Sequence, residues 1–147
     1  MAKETDLAGK LIYAARLCRS LRARLLLENG LYAGQDALLK SLAANDGQTM
    51  GSLAGNLGVR PPTVTKMVTR METQNFVQRR NSGFDNRMNL VFITEAGEAL
   101  LEEVDSIWEK AERVAFDDLK DKEIKRLHKI LDKISARLQE HAEAGEL

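Results

Sequence analysis

The chain is poor in the residues that mark disulfide-bonded, metal-binding and membrane proteins. Among its 147 residues are one cysteine, two histidines, two prolines and one tryptophan. Because Cys18 is alone, it excludes an internal disulfide. No apolar run approaches the roughly 20 residues that a membrane-spanning helix needs, and Met1 to Glu4 includes no apolar signal region. We therefore expect a soluble, cytoplasmic protein with no membrane partner.

The motifs of common enzyme classes are missing as well. The sequence has no glycine-rich phosphate loop after a strand, no nucleophile elbow, and no Cys or Ser with a recognisable His partner. His128 and His141 are too far apart on one predicted helix to bind a metal together, and neither has a second His or Cys beside it. The sequence predicts a protein that is not an enzyme and uses no metal or other cofactor.

The net charge is zero, but the charges are unevenly distributed. Residues 60–90 contain six basic and two acidic side chains, a balance of +4, whereas residues 91–147 contain nine basic and fifteen acidic ones, a balance of −6. Charges more than about 10 Å apart are largely screened at ordinary salt concentrations. The basic segment can therefore attract a polyanion although the whole chain is neutral.

Apolar periodicity predicts helices on both sides of the basic segment. A first helix covers about residues 6–29 and stops at Asn29-Gly30, and a second covers about 34–44. Capping and stop residues give four further boundaries: caps at Thr49 and Thr94, a stop at Gly58 and a helix start near Asp121. The residues predicted to face inward in the second and third helices are Ala37, Leu38, Ser41, Leu42, Leu53, Ala54 and Leu57.

The fourth predicted helix combines an apolar face with a polar one. It begins at Pro61, because the N–H that proline lacks would have no partner in the first turn. At 100° per residue, Thr65, Lys66, Thr69 and Arg70 lie away from the apolar residues, and hydroxyls and cations suit base edges and phosphates. A merely solvated face is the alternative, but the helix before it lies at helix-turn-helix spacing. The inward residues are Val64, Met67, Val68 and Met71.

A basic β-hairpin is predicted after this helix. Residues 76–80 and 88–93 are rich in strand-forming side chains, and residues 81–87 join them. Arg79, Arg80 and Arg87 on this wing would meet phosphates, and an arginine at its tip could enter a narrow minor groove. The alternative is a hairpin edge that charge keeps soluble.

In this order of elements, the chain resembles the MarR family of bacterial transcription regulators over nearly its whole length. The matching segments read LAGNLGV at 53–59, TVTKMVTRME at 63–72, DNR at 85–87 and LVFITEAG at 90–97. The resemblance implies a homodimer with one winged helix-turn-helix per subunit that binds double-stranded DNA. It implies that Pro62, Thr63, Thr65 and Lys66 face the major groove, that Arg87 faces the minor groove, and that Asp85 holds the wing by pairing with an arginine.

Two features depart from the family pattern. Arg60 stands where many relatives have a serine cap, so we expect the fourth helix to be capped differently and Arg60 to bind phosphate. Asn86, Met88 and Asn89 make the wing less basic than in many relatives. This composition predicts a modest affinity for DNA with a shallow salt dependence.

The terminal helices have apolar seams that the rest of the chain is too small to cover, although packing inside a monomer is the alternative. We expect a mainly α fold with a small β-hairpin wing (α+β) and a single domain at 1–147. Its winged helix-turn-helix covers about 34–94, and dimerisation helices cover about 6–29 and 95–142. Two-fold pairing predicts a pseudo-palindromic operator. The seam residues are Leu7, Leu11, Ala14, Cys18, Leu21 and Leu25 in the first helix, Leu100, Val104, Ile107, Ala111 and Val114 in the fifth, and Ile124, Leu127, Leu131, Ile134 and Leu138 in the sixth.

Small aromatic or anionic effectors bind members of the family between the dimer helices and the winged domain. The corresponding position in this chain is the neighbourhood of Tyr13, Arg16, Leu17 and Trp108, which the resemblance therefore implies as effector-binding residues. A tryptophan on an apolar stripe is more often a core residue than a ligand contact. For Cys18, a buried structural thiol is favoured over a redox-active one, because a reactive thiolate needs exposure.

Two functions of different classes remain. The favoured one is a dimeric, sequence-specific transcriptional regulator, a repressor that a small-molecule effector releases from DNA. The alternative is a winged-helix module that binds a protein partner and does not bind DNA, which the neutral net charge and the lightly charged wing keep open. The salt dependence of DNA binding distinguishes them.

Overall fold

The computed structural model describes residues 6–83 and 85–145, and the side chains of residues 85–87 are outside this description. The chain is mainly helical with a small antiparallel sheet, which confirms the predicted fold class. In chain order the elements are α1 (Leu7–Glu28), α2 (Gln35–Ala44), β1 (Gln48–Thr49), α3 (Met50–Leu57), α4 (Pro61–Thr73), β2 (Val77–Ser82), β3 (Asp85–Ile93), α5 (Glu95–Ala99), α6 (Leu101–Phe116) and α7 (Asp121–Glu143).

The ends of α1 lie where the sequence predicts them. The side chain of Asp6 accepts a hydrogen bond from the N–H of Gly9 at 2.9 Å, so one of the unpaired donors of the first turn is satisfied. After Asn29, Gly30 has a φ of +75°, a left-handed conformation that glycine adopts without steric cost. The predicted stop at Asn29-Gly30 is confirmed.

The helix-turn-helix and the sheet share one hydrophobic core. On α4, the predicted inward residues Val64, Val68 and Met71 are completely buried, and Met67 is half-buried. The caps of the neighbouring helix are also as predicted, because Thr49 accepts from the N–H of Ser52 and Gly58 is left-handed. The buried residues of this core are Leu38, Leu39, Leu42, Leu53, Ala54, Val64, Val68, Met71, Val77, Val91 and Ile93.

The buried face of α2 is wider than the sequence predicts. Leu38 and Leu42 are completely buried as predicted, but Leu39 is too, and Ala37 and Ser41 are only half-buried. The reason is that α2 contacts α3, β3 and α5 together, so a single helical stripe cannot supply all of its buried side chains.

The sheet has the strand order β1-β3-β2, and all its pairs are antiparallel. β2 and β3 form the predicted wing, with Val77 opposite Ile93, and both strands extend further towards the tip than predicted. The two-residue β1 was not predicted, because two residues carry no periodicity. It is held by the buried Gln48, whose amide donates to the carbonyls of Ser41 (2.9 Å) and Asn45 (2.6 Å).

The start of α5 packs tightly against the turn between α4 and the wing. Thr94 caps the helix as predicted, since its hydroxyl oxygen accepts from the N–H of Gly97 at 3.1 Å, and its own N–H donates to the carbonyl of Phe76 at 3.0 Å. A Cβ added to Gly97 would lie 2.2 Å from that carbonyl oxygen. Gly97 is therefore required for this close approach.

A second core joins the end of α1 to α6. The predicted fifth helix is interrupted at Leu100, which separates α5 from α6, but Val104, Ile107 and Ala111 of the predicted stripe are buried. Val114 of the same stripe is 64% exposed. The buried residues of this core are Leu25, Leu26, Leu31, Val104, Ile107 and Ala111.

Contacts within the chain define two compact units, residues 1–111 and residues 112–147. In the second unit, the N–H of Lys120 donates to the carboxylate of Glu123 at 2.9 Å, and the N–H of Glu123 donates to the carbonyl of Lys120 at 2.8 Å, at the start of α7. α7 has no buried residue along its length. Within the described residues, no helix is both long and apolar enough to cross a membrane.

Candidate nucleic-acid interface

The candidate recognition helix α4 begins without a side-chain cap. Arg60 occupies the N-cap position, and its carbonyl accepts the N–H groups of Thr63 (3.0 Å) and Val64 (3.3 Å). Pro61 and Pro62 have no N–H, so two of the unpaired donors of the first turn do not exist. The helix therefore tolerates Arg60 in place of a serine cap, and the exposed arginine side chain is not used by the helix.

The outward face of α4 is exposed along the helix. Among the described residues, neither Arg60 nor Lys66 has a hydrogen-bond or ion-pair partner. Both cations are therefore available to an anionic ligand. The predicted contact residues that the structure leaves exposed on this helix are Pro62, Thr63, Thr65, Lys66, Thr69 and Arg70.

Three threonines form a column on the exposed surface of α4. The hydroxyl of Thr65 donates to the carbonyl of Pro61 (3.1 Å), that of Thr69 to Thr65 (2.9 Å) and that of Thr73 to Thr69 (3.1 Å). Because each hydroxyl proton is donated to the backbone one turn earlier, the methyl groups and the remaining oxygen lone pairs are the parts left for a ligand. On Thr69, one lone pair already accepts from Arg79. A base edge with an amino donor, or a thymine methyl, fits such a surface.

Arg79 is bound within the chain and does not project freely from the wing. Its Nε donates to Glu72 at 2.8 Å, its Nη2 lies 2.7 Å from the same carboxylate, and Nη2 also donates to the hydroxyl of Thr69 at 3.0 Å. The backbone N–H of Arg79 donates to Glu72 as well, at 3.2 Å. The expectation that Arg79 meets phosphates overlooked this pairing. Its guanidinium fastens β2 to α4.

The Arg79–Glu72 pair leads to a prediction about acid stability. The side-chain hydrogen bond from Arg79 is the main reason that the pKa of Glu72 is lowered. A carboxyl with a lowered folded-state pKa stabilises the fold above its ordinary titration range, and this contribution is lost as the pH falls through the lowered value. Glu72→Gln should therefore cost about 1 kcal/mol of unfolding free energy at neutral pH. The cost should vanish only in acid below the ordinary glutamate range, measured by urea denaturation over a pH series.

Glu140→Gln provides the matched control. Its carboxylate faces Arg137 at 3.4 Å, and both side chains are about 70% exposed, so its loss should cost no more than about 0.5 kcal/mol. Equal effects of the two substitutions at neutral pH would contradict the assigned role of Glu72.

The other wing residues have different surroundings. Arg80 is exposed, and its guanidinium carbon lies 4.6 Å from the centre of the Phe92 ring, so it remains at the surface, as a phosphate contact requires. Asp85 and Arg87 lie outside the described side chains, and their expected roles are not tested by the structure.

Arg70 is supported by a residue that the sequence analysis did not identify. Its guanidinium carbon lies 3.7 Å from the centre of the Tyr32 ring. Tyr32 precedes α2 and is 42% exposed. A single tyrosine in a connecting segment carries no sequence signal that relates it to an arginine 38 positions later, since only the tertiary structure brings the two together.

The four residues expected to bind an effector fall in two places. Tyr13, Arg16 and Leu17 lie on the exposed part of α1, where the guanidinium carbon of Arg16 is 5.3 Å from the Tyr13 ring centre. Trp108 packs against the second core, and its indole N–H donates to the buried carboxylate of Asp36 at 2.8 Å. The interpretation of Trp108 as a core residue is therefore supported within this chain.

Cys18 is exposed in the single chain, so the chain itself does not bury the thiol, and its expected burial stays a prediction. The reason lies in α1, where every residue from Lys10 to Ser20 is exposed and burial becomes substantial only from Leu21 onward. Among the described residues, no three His, Cys, Asp or Glu side chains are grouped as a bound metal ion would require.

The geometry defines the class of protein. A three-helix core whose last helix exposes cations and hydroxyls, followed by a β-hairpin, is a winged helix-turn-helix, a DNA-binding fold. Residues 31–88 match the model of the MarR family. YwoH, an uncharacterized HTH-type transcriptional regulator of Bacillus subtilis, is 33% identical over 110 residues, which are 75% of this chain and 80% of that protein. The chain belongs to the MarR family of transcription regulators, which confirms the resemblance read from the sequence.

Solved structures agree in fold. An E. coli MarR variant in complex with operator DNA matches with a TM-score of 0.81 at 22% identity, over 88% of this chain and 94% of that one. Bordetella bronchiseptica BpsR, in a structure that concerns regulation of its DNA binding by 6-hydroxynicotinic acid, matches with a TM-score of 0.81 at 21% identity, over 88% of this chain and 98% of that one.

Proposed function

We propose that the protein is a homodimeric, sequence-specific repressor whose two α4 helices bind a pseudo-palindromic operator, and that a small aromatic or anionic effector releases it. The observation that carries the DNA-binding part is the outward face of α4. Its hydroxyls and cations are exposed, and Arg60 and Lys66 have no partner among the described residues. A cluster of exposed cations attracts a polyanion locally even where the net charge of the chain is zero.

The proposed contacts differ in kind. Pro62, Thr63, Thr65 and Lys66 are assigned to base edges in the major groove, because the N-terminal part of a recognition helix enters the groove. Arg60 and Arg80 are assigned to phosphates, where they position the protein without reading sequence. Arg87 is assigned to the minor groove on the strength of the family resemblance.

The apolar surface of the terminal helices supports the homodimer. On α1, Leu7, Ile12 and Leu17 are 74%, 66% and 52% exposed, and on α7 Leu138 is 56% exposed. Within the second unit, the end of α6 and α7 also leave an open groove of about 240 Å³. Large apolar side chains at helical spacing are the usual composition of a helical dimer interface. The groove is lined by Glu112, Arg113, Phe116, Asp117, Ile124, Leu127, His128 and Leu131.

Release by an effector is proposed from the family and from the exposed α1 surface at Tyr13, Arg16 and Leu17, where an aromatic ring and a guanidinium lie together. An aromatic anion could stack on such a pair and neutralise its charge. The relation of BpsR to 6-hydroxynicotinic acid is a property of that protein, and it suggests the chemical class to test first.

The decisive experiment is the salt dependence of DNA binding. If Arg60 and Arg80 each neutralise one phosphate, a dimer makes about four such contacts, and affinity for mixed-sequence duplex DNA should fall about 10²-fold between 50 and 200 mM salt. Arg60→Gln should flatten the slope of the logarithmic plot by about two units. Lys110→Gln, which removes the same charge from an exposed site on α6, should leave the slope unchanged.

Two results would contradict the proposal. The first is an absence of binding at low salt, or an affinity that does not respond to salt, which would favour a module that binds a protein partner. The second is an equal change of slope in the Arg60 and Lys110 variants, which would mean that total charge and not the α4 surface attracts DNA.

A further inference from the structure

Tyr32 contacts the last turns of α4 in two ways, directly at Arg70 and through Gln35 at Gln74. Its ring lies under the guanidinium of Arg70, at 3.7 Å from the ring centre to the guanidinium carbon. Its backbone N–H donates to the side chain of Gln35 at 3.1 Å, and that amide donates to the side chain of Gln74 at 2.6 Å. The N–H of Gln74 donates to the carbonyl of Arg70 at 3.1 Å. These contacts close a ring that fixes Tyr32 relative to Arg70.

Within this ring of contacts, Gln35 is buried and Arg70 is exposed to solvent. Gln35 is 1% exposed, so its side chain is held in place by packing as well as by its two hydrogen bonds. On the outer side, a recess of about 170 Å³ lies beside Lys66 and Arg70. Among the described residues, Arg70 has no hydrogen-bond or ion-pair partner. All of its N–H donors therefore remain available at a surface that is open to a ligand.

We propose that Tyr32 is a positioning residue that determines specificity: it holds the guanidinium of Arg70 so that its edge reads a guanine in each operator half-site, while Tyr32 itself does not contact a base. This inference rests on the proposed function and adds a residue from outside the helix-turn-helix to it.

The chemistry of the guanidinium makes this arrangement effective. Stacking on a ring occupies the flat face of the group, whereas all five N–H donors lie in its plane and point outward. A guanine presents O6 and N7 side by side in the major groove, and a planar arginine edge matches both. A free arginine side chain loses much rotamer freedom on binding, and a guanidinium that is already held loses less. Lys66, one turn earlier, has no such support and remains a mobile point charge.

The test compares base preferences, because a purely structural contact would not change them at one position. Duplexes bound by the wild-type protein, Arg70→Ala, Tyr32→Leu and Tyr32→Phe are selected from a randomised pool and sequenced. Arg70→Ala identifies the base pair that Arg70 reads. Tyr32→Leu should weaken the preference at that same base pair by about two- to fivefold, the range of an exposed cation–π contact, and leave the other positions unchanged. Tyr32→Phe, which keeps the ring, should retain the wild-type preference.

A double variant tests whether Tyr32 acts through Arg70. In the Arg70→Ala background, Tyr32→Leu should have no further effect on base preference. A further loss there, an equal loss at all positions, or a loss in Tyr32→Phe would overturn the inference, since each means that Tyr32 contacts DNA directly or only supports the fold. Thermal unfolding of each variant separates the last case. If the wild-type protein selects no sequence at all, the proposed function itself fails, which is a different result from a Tyr32 variant that keeps the wild-type preference.

Discussion

Replacing Gly97 with alanine is expected to lower the free energy of unfolding by about 2–3 kcal/mol, because the new Cβ overpacks a rigid site. It would lie 2.2 Å from the carbonyl oxygen of Phe76 and 2.9 Å from Cγ1 of Ile93. The carbonyl of Phe76 cannot retreat freely, since it accepts the N–H of Thr94 at 3.0 Å. Equilibrium urea denaturation followed by circular dichroism measures the loss.

Gly55→Ala is the matched control. Gly55 lies within α3 and has nothing within 4 Å of an added Cβ. Alanine should stabilise that helix by about 0.5–1 kcal/mol, because glycine loses more conformational freedom on folding. A Gly97 variant as stable as the wild type would mean that α5 does not pack on the wing as closely as described.

Placing a glutamate at Leu138 is expected to dissociate the homodimer that we propose. Leu138 lies on the predicted apolar seam of α7 and is 56% exposed in the single chain. In a symmetric dimer each substitution acts twice, so two buried leucines are lost at about 1.5–3 kcal/mol each. The dissociation constant should rise at least about 10²-fold. Sedimentation velocity over a concentration series measures it.

Ala136→Glu on the same helix controls for the added charge. At 100° per residue, position 136 lies about 160° around α7 from position 138, and Ala136 is exposed. This variant should sediment like the wild type. If Leu138→Glu also does so, or if both variants dissociate alike, the seam of α7 is not a dimer interface.

The pairing of Arg79 changes how the wing is understood. From sequence alone, a basic residue on a hairpin next to a recognition helix is expected to contact phosphate. In the structure, Arg79 instead donates its Nε to Glu72 and its Nη2 to Thr69. The wing and α4 are therefore coupled by an ion pair, and we propose Arg60 and Arg80, not Arg79, as phosphate contacts.

Local features of this fold could be predicted because they depend on residues a few positions apart. The hydroxyl of Thr94 and the N–H that it caps are three residues apart, and the left-handed Gly58 directly follows α3. The two faces of α4 follow from helical periodicity alone, so Val68 inward and Lys66 outward needed no tertiary information. Leu39 was missed because its burial depends on the three elements around α2.

The sequence by itself determined the order of the main helices and the wing, the caps at Thr49 and Thr94, the outward face of α4, and with them the family of transcription regulators. Only the tertiary structure decided which charged and polar side chains are free. It pairs Arg79 with Glu72, places Tyr32 under Arg70 and leaves Cys18 exposed. The physical reason is range: caps and helical faces are set by neighbours within about one turn. Pairing and burial are set by groups far apart in the chain, which only packing brings together.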